Sequence, residues 1–341
     1  MIRDINTKKV MKNAYRITKN RYQTSLRVRV PGGAIDPECL NIVAQISQKF
    51  GDGEIHITTR QGFEILGLRY EDIDEINKMI QPVIDKLEIN QFEKDTGYPA
   101  AGTRNVCACV GNKACPKAAY NTTEFAKKIE DAIFPNDLHV KVALTGCPND
   151  CIKARTHDYG IIGMHKPIYE MDRCVNCQAC VKKCKRLSTG ALSVENNKIV
   201  RDAQKCIGCG ECVLNCPTGA WARDEKKYYR LAIMGRSGKK NPRLAEDWIL
   251  WVDEESIIKI IVNTYKFAKE YIAKDAPGGK EHIGYIVDRT GFMEYKKYVL
   301  EGVTLNKEAI IKNNVGTGGI FGKSILIIMT NWEPTSVFHR R

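Results

Sequence analysis

The sequence lacks any apolar run long enough to cross a membrane. Its apolar runs, such as Ile325 to Met329, fall far short of the roughly 18 residues that a membrane span needs. The amino terminus, Met-Ile-Arg-Asp-Ile-Asn, has no apolar core followed by a small-residue cleavage site, so it does not mark the protein for secretion. The sequence therefore predicts a cytoplasmic protein with no membrane span.

Nucleotide-binding fingerprints are also missing. No GxGxxG segment lies between a predicted strand and a predicted helix, so any nicotinamide or flavin chemistry would belong to partner subunits. The basic loop from Gly235 to Arg243 lacks the spacing of a phosphate-binding loop. Histidine is scarce, with six residues, and the isolated positions of His157, His165 and His282 predict structural or exposed roles.

Cysteine, in contrast, is abundant, with 14 residues. In a long chain predicted to stay in the cytoplasm, so many cysteines favour metal or redox chemistry over disulfides. Cys39, on a predicted helix face, is interpreted as a packed thiol. Cys107 is close in sequence to the group that begins with Cys109 but is not one of its four members. The other cysteines form three groups: Cys109, Cys115, Cys147 and Cys151; Cys174, Cys177, Cys180 and Cys184; and Cys206, Cys209, Cys212 and Cys216.

The charge balance is strongly basic. The 53 Lys and Arg residues outnumber the 40 Asp and Glu residues and give a net charge of +13. Such an excess calls for a polyanionic partner. Nucleic acid and a carboxylate-rich cofactor are both candidates for this polyanionic partner.

The first hundred residues predict a small α+β layer. Arg27 and Arg29 alternate with apolar residues, as in a half-buried strand, and Asp36 and Pro37 begin a helix that ends at Gly51. The resulting β-α-β-β-α order predicts a ferredoxin-like half domain over residues 1–98. Its predicted elements are strands at 26–30, 54–59 and 63–68 and helices at 37–50 and 73–87.

The remainder predicts a second α+β domain that is interrupted by an insertion. Residues 99–168 and 228–303 carry predicted strands at 139–145 and 229–234 and predicted helices at 123–134 and 255–271. Residues 169–227 are cysteine-rich and repeat a motif, since CVNCQACVKKC is followed by CIGCGECVLNC. Residues 304–341 form a tail without a readable chemical motif.

The two CxxCxxCxxxC runs predict iron-sulfur clusters. Three thiolates spaced in this way fit one cubane while the fourth reaches a neighbouring one, whereas structural zinc sites use CxxC pairs separated by longer loops. The insertion is therefore predicted to be a two-cluster, bacterial-type ferredoxin domain. The crossed pattern of such domains assigns one 4Fe-4S cluster to Cys174, Cys177, Cys180 and Cys216, and the other to Cys184, Cys206, Cys209 and Cys212.

The remaining four cysteines are spaced differently, and here the chain resembles the sirohaem-containing sulfite and nitrite reductases. The resemblance rests on ACVGNKACPKA at 108–118 and TGCPNDC at 145–151. It implies a sirohaem/4Fe-4S domain in which Cys109, Cys115, Cys147 and Cys151 bind a third 4Fe-4S cluster. It also implies that Cys151 is the axial ligand of the sirohaem iron.

The same resemblance implies a set of anion-binding residues. Arg27 in SLRVRVPGG and Arg104 in TRNV match arginines that contact the bound anion. Lys141 matches the second lysine of a KxK pair, and His139 occupies the first position. Because sirohaem is rich in carboxylates and sulfite is a dianion, this site explains the basic charge without nucleic acid. The residues assigned to the macrocycle are Thr58, Arg60 and Gln61 in ITTRQGF, with Arg236, Lys240 and Arg243 as candidates in the basic loop.

The resemblance implies the catalytic subunit of an anaerobic, NADH-linked sulfite reductase that reduces sulfite to sulfide with six electrons. The electrons would come from iron-sulfur and flavin-containing partner subunits. Because the chain carries one half of a unit that is often duplicated, we expect a homodimer with shared sites inside a larger hetero-oligomer. A sirohaem nitrite reductase and a non-catalytic polyferredoxin are the alternatives.

Overall fold

The computed structural model of the chain describes residues 14–89, 93–99, 104–135, 137–238, 241–276 and 279–316. Within these ranges the strands are β1 Tyr15–Ile17, β2 Gln23–Val28, β3 Ile55–Ile57, β4 Phe63–Arg69, β5 Cys107–Ala108, β6 Val142–Thr145, β7 Tyr159–Met164, β8 Pro167–Tyr169, β9 Leu192–Glu195, β10 Lys198–Arg201, β11 Trp221–Arg223, β12 Tyr228–Ile233, β13 Glu246–Val252 and β14 Ile310–Ile311. The α-helices are α1 Pro37–Phe50, α2 Ile73–Lys86, α3 Thr122–Ile133, α4 Ala179–Leu187, α5 Glu211–Leu214, α6 Glu254–Tyr271, α7 Ile283–Thr290 and α8 Phe292–Val299. Among the described residues, none of the helices has the length and apolar character that a bilayer span requires.

The amino-terminal sheet has the antiparallel order β1-β2-β4-β3, with α1 and α2 packed on one another and on its apolar face. Helix α1 begins as predicted, because Asp36 accepts a hydrogen bond from the Cys39 N–H at 2.9 Å and Pro37 occupies the first helical position. Cys39 is 1% exposed in the core of this layer, which confirms its interpretation as a packed thiol.

The central sheet has the order β14-β13-β12-β7-β6-β5. Strands β5, β6 and β7 are parallel, whereas β12, β13 and β14 pair antiparallel. We call the side where β5, β6 and β7 start the amino end of this sheet, and the side where they finish its carboxyl end. Helices α3, α6, α7 and α8 contribute to its main apolar core.

Two contacts join the amino-terminal sheet to the central sheet. Arg29, which follows β2, is fully buried and forms a 2.8 Å ion pair with Glu130 of α3. At Gly32 the backbone N–H donates to the Val106 carbonyl, and an added Cβ would lie 2.9 Å from the Cα of Thr123. A glycine with φ of +75° is therefore required at this point, where the two layers meet.

Residues 169–227 form a cysteine-rich segment, which strands β8 and β11 close at its base. The two motif repeats have matching backbones. Asn176 and Gly208 hold equivalent positions with positive φ, and so do Gln178 and Gly210, each just before a helix. The β9–β10 hairpin completes the segment, and Val181, Leu192, Ile199 and Trp221 pack around its cysteines.

The structure refines several sequence-predicted elements. Helices α3 and α6 lie within one residue of their predicted bounds, and β12 starts one residue early. Strand β6 is shorter than predicted, because His139 forms an isolated parallel bridge with His282 instead of extending the strand. The strands that were not predicted are β1, β5, β7, β8, β9, β10, β11, β13 and β14. The predicted tail lies mostly outside the described residues, since it is described only to residue 316.

Candidate active site

We call Cys109, Cys115, Cys147 and Cys151 the central cysteines, or the central set. They lie at and beyond the carboxyl end of the central sheet. Cys109 directly follows β5, and Cys147 follows β6 after one glycine. The Gly146 N–H donates to the Cys109 thiol at 3.1 Å, and the Cys109 N–H donates to the Leu144 carbonyl at 3.0 Å. Because carboxyl ends of parallel strands meet at one side of a sheet, the fold itself brings these two cysteine loops together.

The four central thiols influence one another electrostatically. Burial is the main cause that raises the pKa of Cys147, and the neighbouring Cys115, Cys151 and Cys109 raise it further. All are free thiols, and Cys151 is exposed. Thiolates are the ligands of iron-sulfur clusters, so this donor set fits the predicted cluster and leaves Cys151 accessible to a second metal. Among the described residues, no three His, Cys, Asp or Glu side chains converge on a position for a single metal ion.

Cations gather at the opposite, amino end of the sheet. Arg104 precedes β5, and His139 and Lys141 precede β6. Burial is the main cause that lowers the pKa of Arg104, and the charges of Arg60 and Arg27 lower it further. The pKa of Lys141 is lowered in the same way by burial, with Arg60 and Arg104 contributing and Asp158 opposing. The structure therefore brings the four predicted anion-binding residues, with Arg60, into one field of positive charge.

His139 is neutral in this field. Burial lowers its pKa to about 4, with the charges of Arg104, Lys280, Lys141 and Arg16 contributing. Sequence reasoning missed Arg16 and Lys280, because neither belongs to a recognised motif. Burial, followed by the charges of Arg27 and Arg104, also lowers the pKa of Arg16 to about 10.

Several guanidinium groups have unused hydrogen-bonding capacity. The Nε atoms of Arg16, Arg27 and Arg60 are buried and have no hydrogen-bond partner among the described residues. Arg27 is held on its other side by Glu64, at 2.8 Å, and Glu64 also accepts from the Ser25 hydroxyl. Buried donors without partners are costly unless a ligand satisfies them. The cation set therefore fits a carboxylate-rich cofactor together with an oxyanion.

Residues of the ITTRQGF segment form hydrogen bonds with and beside β5, the edge strand of the central sheet. The Gln61 side chain donates to the Ala108 carbonyl at 2.7 Å and accepts from its N–H at 2.8 Å, so it pairs with β5 as a neighbouring strand would. Arg60 donates to the Asn105 carbonyl. The Thr58 hydroxyl accepts from the Gly62 N–H and closes the turn. These contacts fix the loop between the cysteines and the cations.

Two arginines of the basic loop are engaged inside the chain. Arg236 and Arg243 are almost fully buried and bind opposite oxygens of Asp288, at 3.0 and 2.8 Å. Arg236 also lies over the Tyr285 ring. Lys240, the third candidate of this loop, lies outside the described residues.

A cavity in the cysteine-rich segment is lined by the cysteines that the crossed pattern groups together. They are Cys184, Cys206, Cys209 and Cys212. Burial is the main cause that raises the pKa of Cys212 to about 12, and Cys206, Cys209 and Cys180 raise it further. For Cys180, of the first repeat, Cys216 is among the causes that raise the pKa, after burial. The last cysteine of the second repeat therefore lies near the thiols of the first.

The second repeat contacts the loop that carries Cys115. The His165 N–H donates to the Gly208 carbonyl at 2.8 Å, and a Cβ at Gly208 would lie 2.7 Å from the Met164 Cβ. Lys117 forms a 2.8 Å ion pair with Glu211, and the His165 ring contacts the Lys117 carbonyl at 3.2 Å. His165 thus has a structural role, as predicted, at the contact between the Cys115 loop and the second repeat.

Comparisons with known proteins agree with this architecture. Residues 16–83 match the nitrite/sulfite reductase ferredoxin-like half domain, and residues 100–307 match the nitrite and sulphite reductase 4Fe-4S domain. One of the subunits of the anaerobic sulfite reductase of Salmonella typhimurium is 41% identical over 312 residues, which cover 89% of this chain and 91% of that protein.

More distant proteins share parts of the chain or its fold. The assimilatory ferredoxin-dependent nitrite reductase of Haloferax mediterranei is 27% identical over 150 residues, which cover 42% of this chain and 24% of that protein. The crystal structure of a dissimilatory sulfite reductase I has the same fold, with a TM-score of 0.59 and 15% identity, over 87% of this chain and 73% of that one. The chain belongs to the nitrite and sulphite reductase family.

Proposed function

We propose that this protein is the catalytic subunit of an anaerobic, NADH-linked sulfite reductase. The reaction converts hydrogen sulfite, six electrons and six protons into hydrogen sulfide anion and three water molecules. The observation that carries the proposal is the pairing of a four-thiol set with a buried field of cations in one fold. The similarity over most of the chain to one of the subunits of an anaerobic sulfite reductase favours sulfite as the substrate.

Three 4Fe-4S clusters and sirohaem complete the proposed site. Cys109, Cys115, Cys147 and Cys151 would hold one cluster, and Cys151 would also ligate the sirohaem iron. Sirohaem and the clusters, when bound, supply the metal that carries sulfite and the one-electron steps that reduce it. Arg16, Arg27 and Arg60 offer buried donors for carboxylates and oxyanions.

The residues at the amino end of the sheet bind and orient the anion. Arg104 and Lys141 neutralise the charge of the oxyanion. Their pKa values are lowered first by burial and then by repulsion from neighbouring cations. Binding the anion offsets that repulsion. His139 is neutral there and can donate one hydrogen bond to a sulfite oxygen.

The cysteine-rich segment is proposed as a two-cluster ferredoxin domain that collects electrons from the partner subunits. Its second repeat lies against the Cys115 loop through the ion pair of Lys117 with Glu211, and Lys117 interacts with both Cys147 and Cys209. This supports a route in which electrons pass from Cys174 and Cys177 to the second repeat and then to the central cysteines. Partners of iron-sulfur and flavin type would donate on that side.

The placement of the two residue sets supports a shared site in a homodimer. Within one chain, Cys109 and Cys147 follow the carboxyl ends of β5 and β6, whereas Arg104 and Lys141 precede their amino ends. A two-fold dimer can bring the thiols of one chain to the cations of the other. We therefore propose that each site takes cysteines from one subunit and cations from its partner, inside a larger hetero-oligomer.

The visible spectrum and metal content of anaerobically purified protein test the proposal. We expect sirohaem bands and about thirteen irons per chain, from three four-iron clusters and one macrocycle. Turnover with sulfite should exceed turnover with nitrite when a dye supplies electrons. About twelve irons without a macrocycle would instead identify a polyferredoxin, and faster nitrite turnover would identify a sirohaem nitrite reductase.

A further inference from the structure

A buried carboxyl-imidazole pair lies beside the proposed anion site. Asp158, which is 1% exposed, directly precedes β7, and its Oδ2 accepts from the Lys141 N–H at 2.9 Å. Its Oδ1 lies 3.2 Å from Nδ1 of His282, within ion-pair distance, and has no hydrogen-bond partner among the described residues. The His282 Nε2 is buried and has no hydrogen-bond partner among the described residues. One ring nitrogen therefore lies within reach of a buried carboxyl oxygen, and the other has no hydrogen-bond partner among the described residues.

The fold holds the imidazole in place from two directions. His282 caps helix α7, since its Nδ1 accepts from the Gly284 N–H at 3.4 Å. The Ile283 N–H donates to the His139 carbonyl at 3.3 Å, which fixes the ring beside the anion-binding residues. When Nδ1 accepts, the proton of the pair resides on Asp158, and Nε2 carries the ring N–H.

The surroundings favour this neutral form. Burial raises the pKa of Asp158 to about 7, against the Lys141 N–H and the charges of Lys141, Arg60 and Arg236. Burial also lowers the pKa of His282 to about 3, and neighbouring cations and His139 lower it further. Below pH 7 the pair therefore holds a proton on the carboxyl group. The titratable and charged groups that face the pair are Arg60, Arg104, His139, Lys141, Tyr159, Arg236, Tyr265 and Tyr295.

We propose that Asp158 and His282 form a proton relay for the anion site. The inference rests on the proposed function, in which each S–O bond breaks only when its oxygen takes up protons and leaves as water. The Nε2 proton passes to a sulfite oxygen or to a water molecule bound to it, and Nδ1 takes the proton of Asp158. The carboxylate left behind is stabilised by Lys141 and Arg60, and solvent returns a proton through Nε2.

Other nearby groups are poorly suited to this task. The arginines keep their protons at neutral pH. The groups that shift the pKa of His139 are all cations, so among them there is no carboxyl group that could return a proton to its ring. The relay itself changes no oxidation state, since the electrons come from the reduced iron-sulfur or flavin partners of the proposed function.

Kinetics of the cofactor-loaded enzyme test the relay with Asp158→Asn, His282→Asn and the matched control Asp253→Asn. The asparagine at position 158 can still accept from the Lys141 N–H, and those at positions 282 and 253 can still cap α7 and α6. We expect kcat for sulfite to fall on the order of 10²-fold in both relay variants, with KM changed less than about twofold. The wild-type kcat should fall as pH rises through about 7, because Asp158 then loses its proton. Asp158→Asn should lack this pH dependence, and Asp253→Asn should match the wild type.

Infrared spectroscopy provides a readout that does not require turnover. The protonated Asp158 carboxyl should give a band at pH 6 that disappears by pH 8, that is missing in Asp158→Asn and that persists in Asp253→Asn. If the wild type lacks this band, or if both relay variants keep the wild-type kcat and pH profile, the relay is wrong. If the loaded wild type does not reduce sulfite, the proposed function fails, and the infrared band still decides whether the pair stores a proton. The band also decides for any variant that does not load its cofactors.

Discussion

The two ends of the central sheet differ sharply in chemistry. The carboxyl end presents thiols, at Cys109 and Cys147, and the amino end presents cations, at Arg104 and Lys141. Strand β6, four residues long, separates them by about 13 Å. The proposed metal-binding thiols and the proposed anion-binding cations are thus kept apart in one chain. Parallel strands can in this way place two different chemistries on opposite sides of a single layer.

The position of the cysteine-rich segment follows the same division. The chain leaves β7 at the carboxyl end, passes through residues 169–227 and re-enters the sheet at β12. Because β12 is antiparallel to β7, it starts at that same end. The additional thiols therefore extend the thiol side and leave the cation side undisturbed.

Cys151→Ser should have the largest effect on the thiol side, and Cys107→Ser is its matched control. Cys151 is an exposed member of the central set, whereas Cys107 is buried in β5 beside the carbonyls of Arg60 and Asn105. We expect Cys151→Ser to lower sulfite turnover at least on the order of 10³-fold and to change the visible spectrum, because the proposed metal ligand is lost. Cys107→Ser should keep the wild-type spectrum and metal content. Equal losses of turnover in both variants would mean that Cys107 cannot be distinguished from the central set.

The cysteine groups at the carboxyl end of the sheet could be predicted from the sequence. Cysteine spacing is local, so motifs identified the three groups without knowledge of the fold. Helix α1 was equally local, because Asp36, Pro37 and Gly51 mark its limits. Strand β6 was predicted too long, since only tertiary structure shows that His139 bridges to His282.

The cation side was predicted less completely. Arg27, Arg104 and Lys141 were found through resemblance to a family, whereas Arg16 joins them only through the pairing of β1 with β2. Arg29, just after β2, alternates with apolar residues as Arg27 does, yet its side chain is buried against Glu130. Alternation along a strand does not show that another layer covers its outer face.

Mixed dimers test whether the two ends meet across subunits. Chains with Arg104→Gln and chains with Cys151→Ser should each be inactive alone, and co-expression with different tags should restore activity. Half of the sites in each heterodimer would be intact, so a purified heterodimer should show about half of the wild-type turnover, and an equal mixture about a quarter. No activity in the purified heterodimer would mean that one chain supplies the whole site.

Lys141→Ala should weaken the cation side without altering the thiol side. A hydrogen bond from a charged group to an anion contributes about 1.5–3 kcal/mol, so KM for sulfite should rise roughly tenfold to a hundredfold. The spectrum should be unchanged in the absence of sulfite. Lys205→Ala is the control, because Lys205 pairs with Asp202 on the surface of the cysteine-rich segment. Unchanged turnover and KM in loaded Lys141→Ala would remove Lys141 from the anion site.

Lys117→Gln should have the smallest effect, and it tests where the thiol sets communicate. The hydrogen bond with Glu211 is the main cause that raises the pKa of Lys117, and Cys147 and Cys209 also contribute, so this ammonium lies near both the central set and the second repeat. A nearby cation favours the reduced, more negative form of a cluster, and its removal should lower reduction potentials by tens of mV, on the order expected for one partly screened charge. Turnover should fall a few-fold when the partner subunits supply electrons, while KM for sulfite stays constant. Lys128→Gln, which removes an ammonium of similar exposure from a pair with Glu254, should leave the potentials unchanged. Equal potentials in Lys117→Gln and the wild type would place the route between the thiol sets elsewhere.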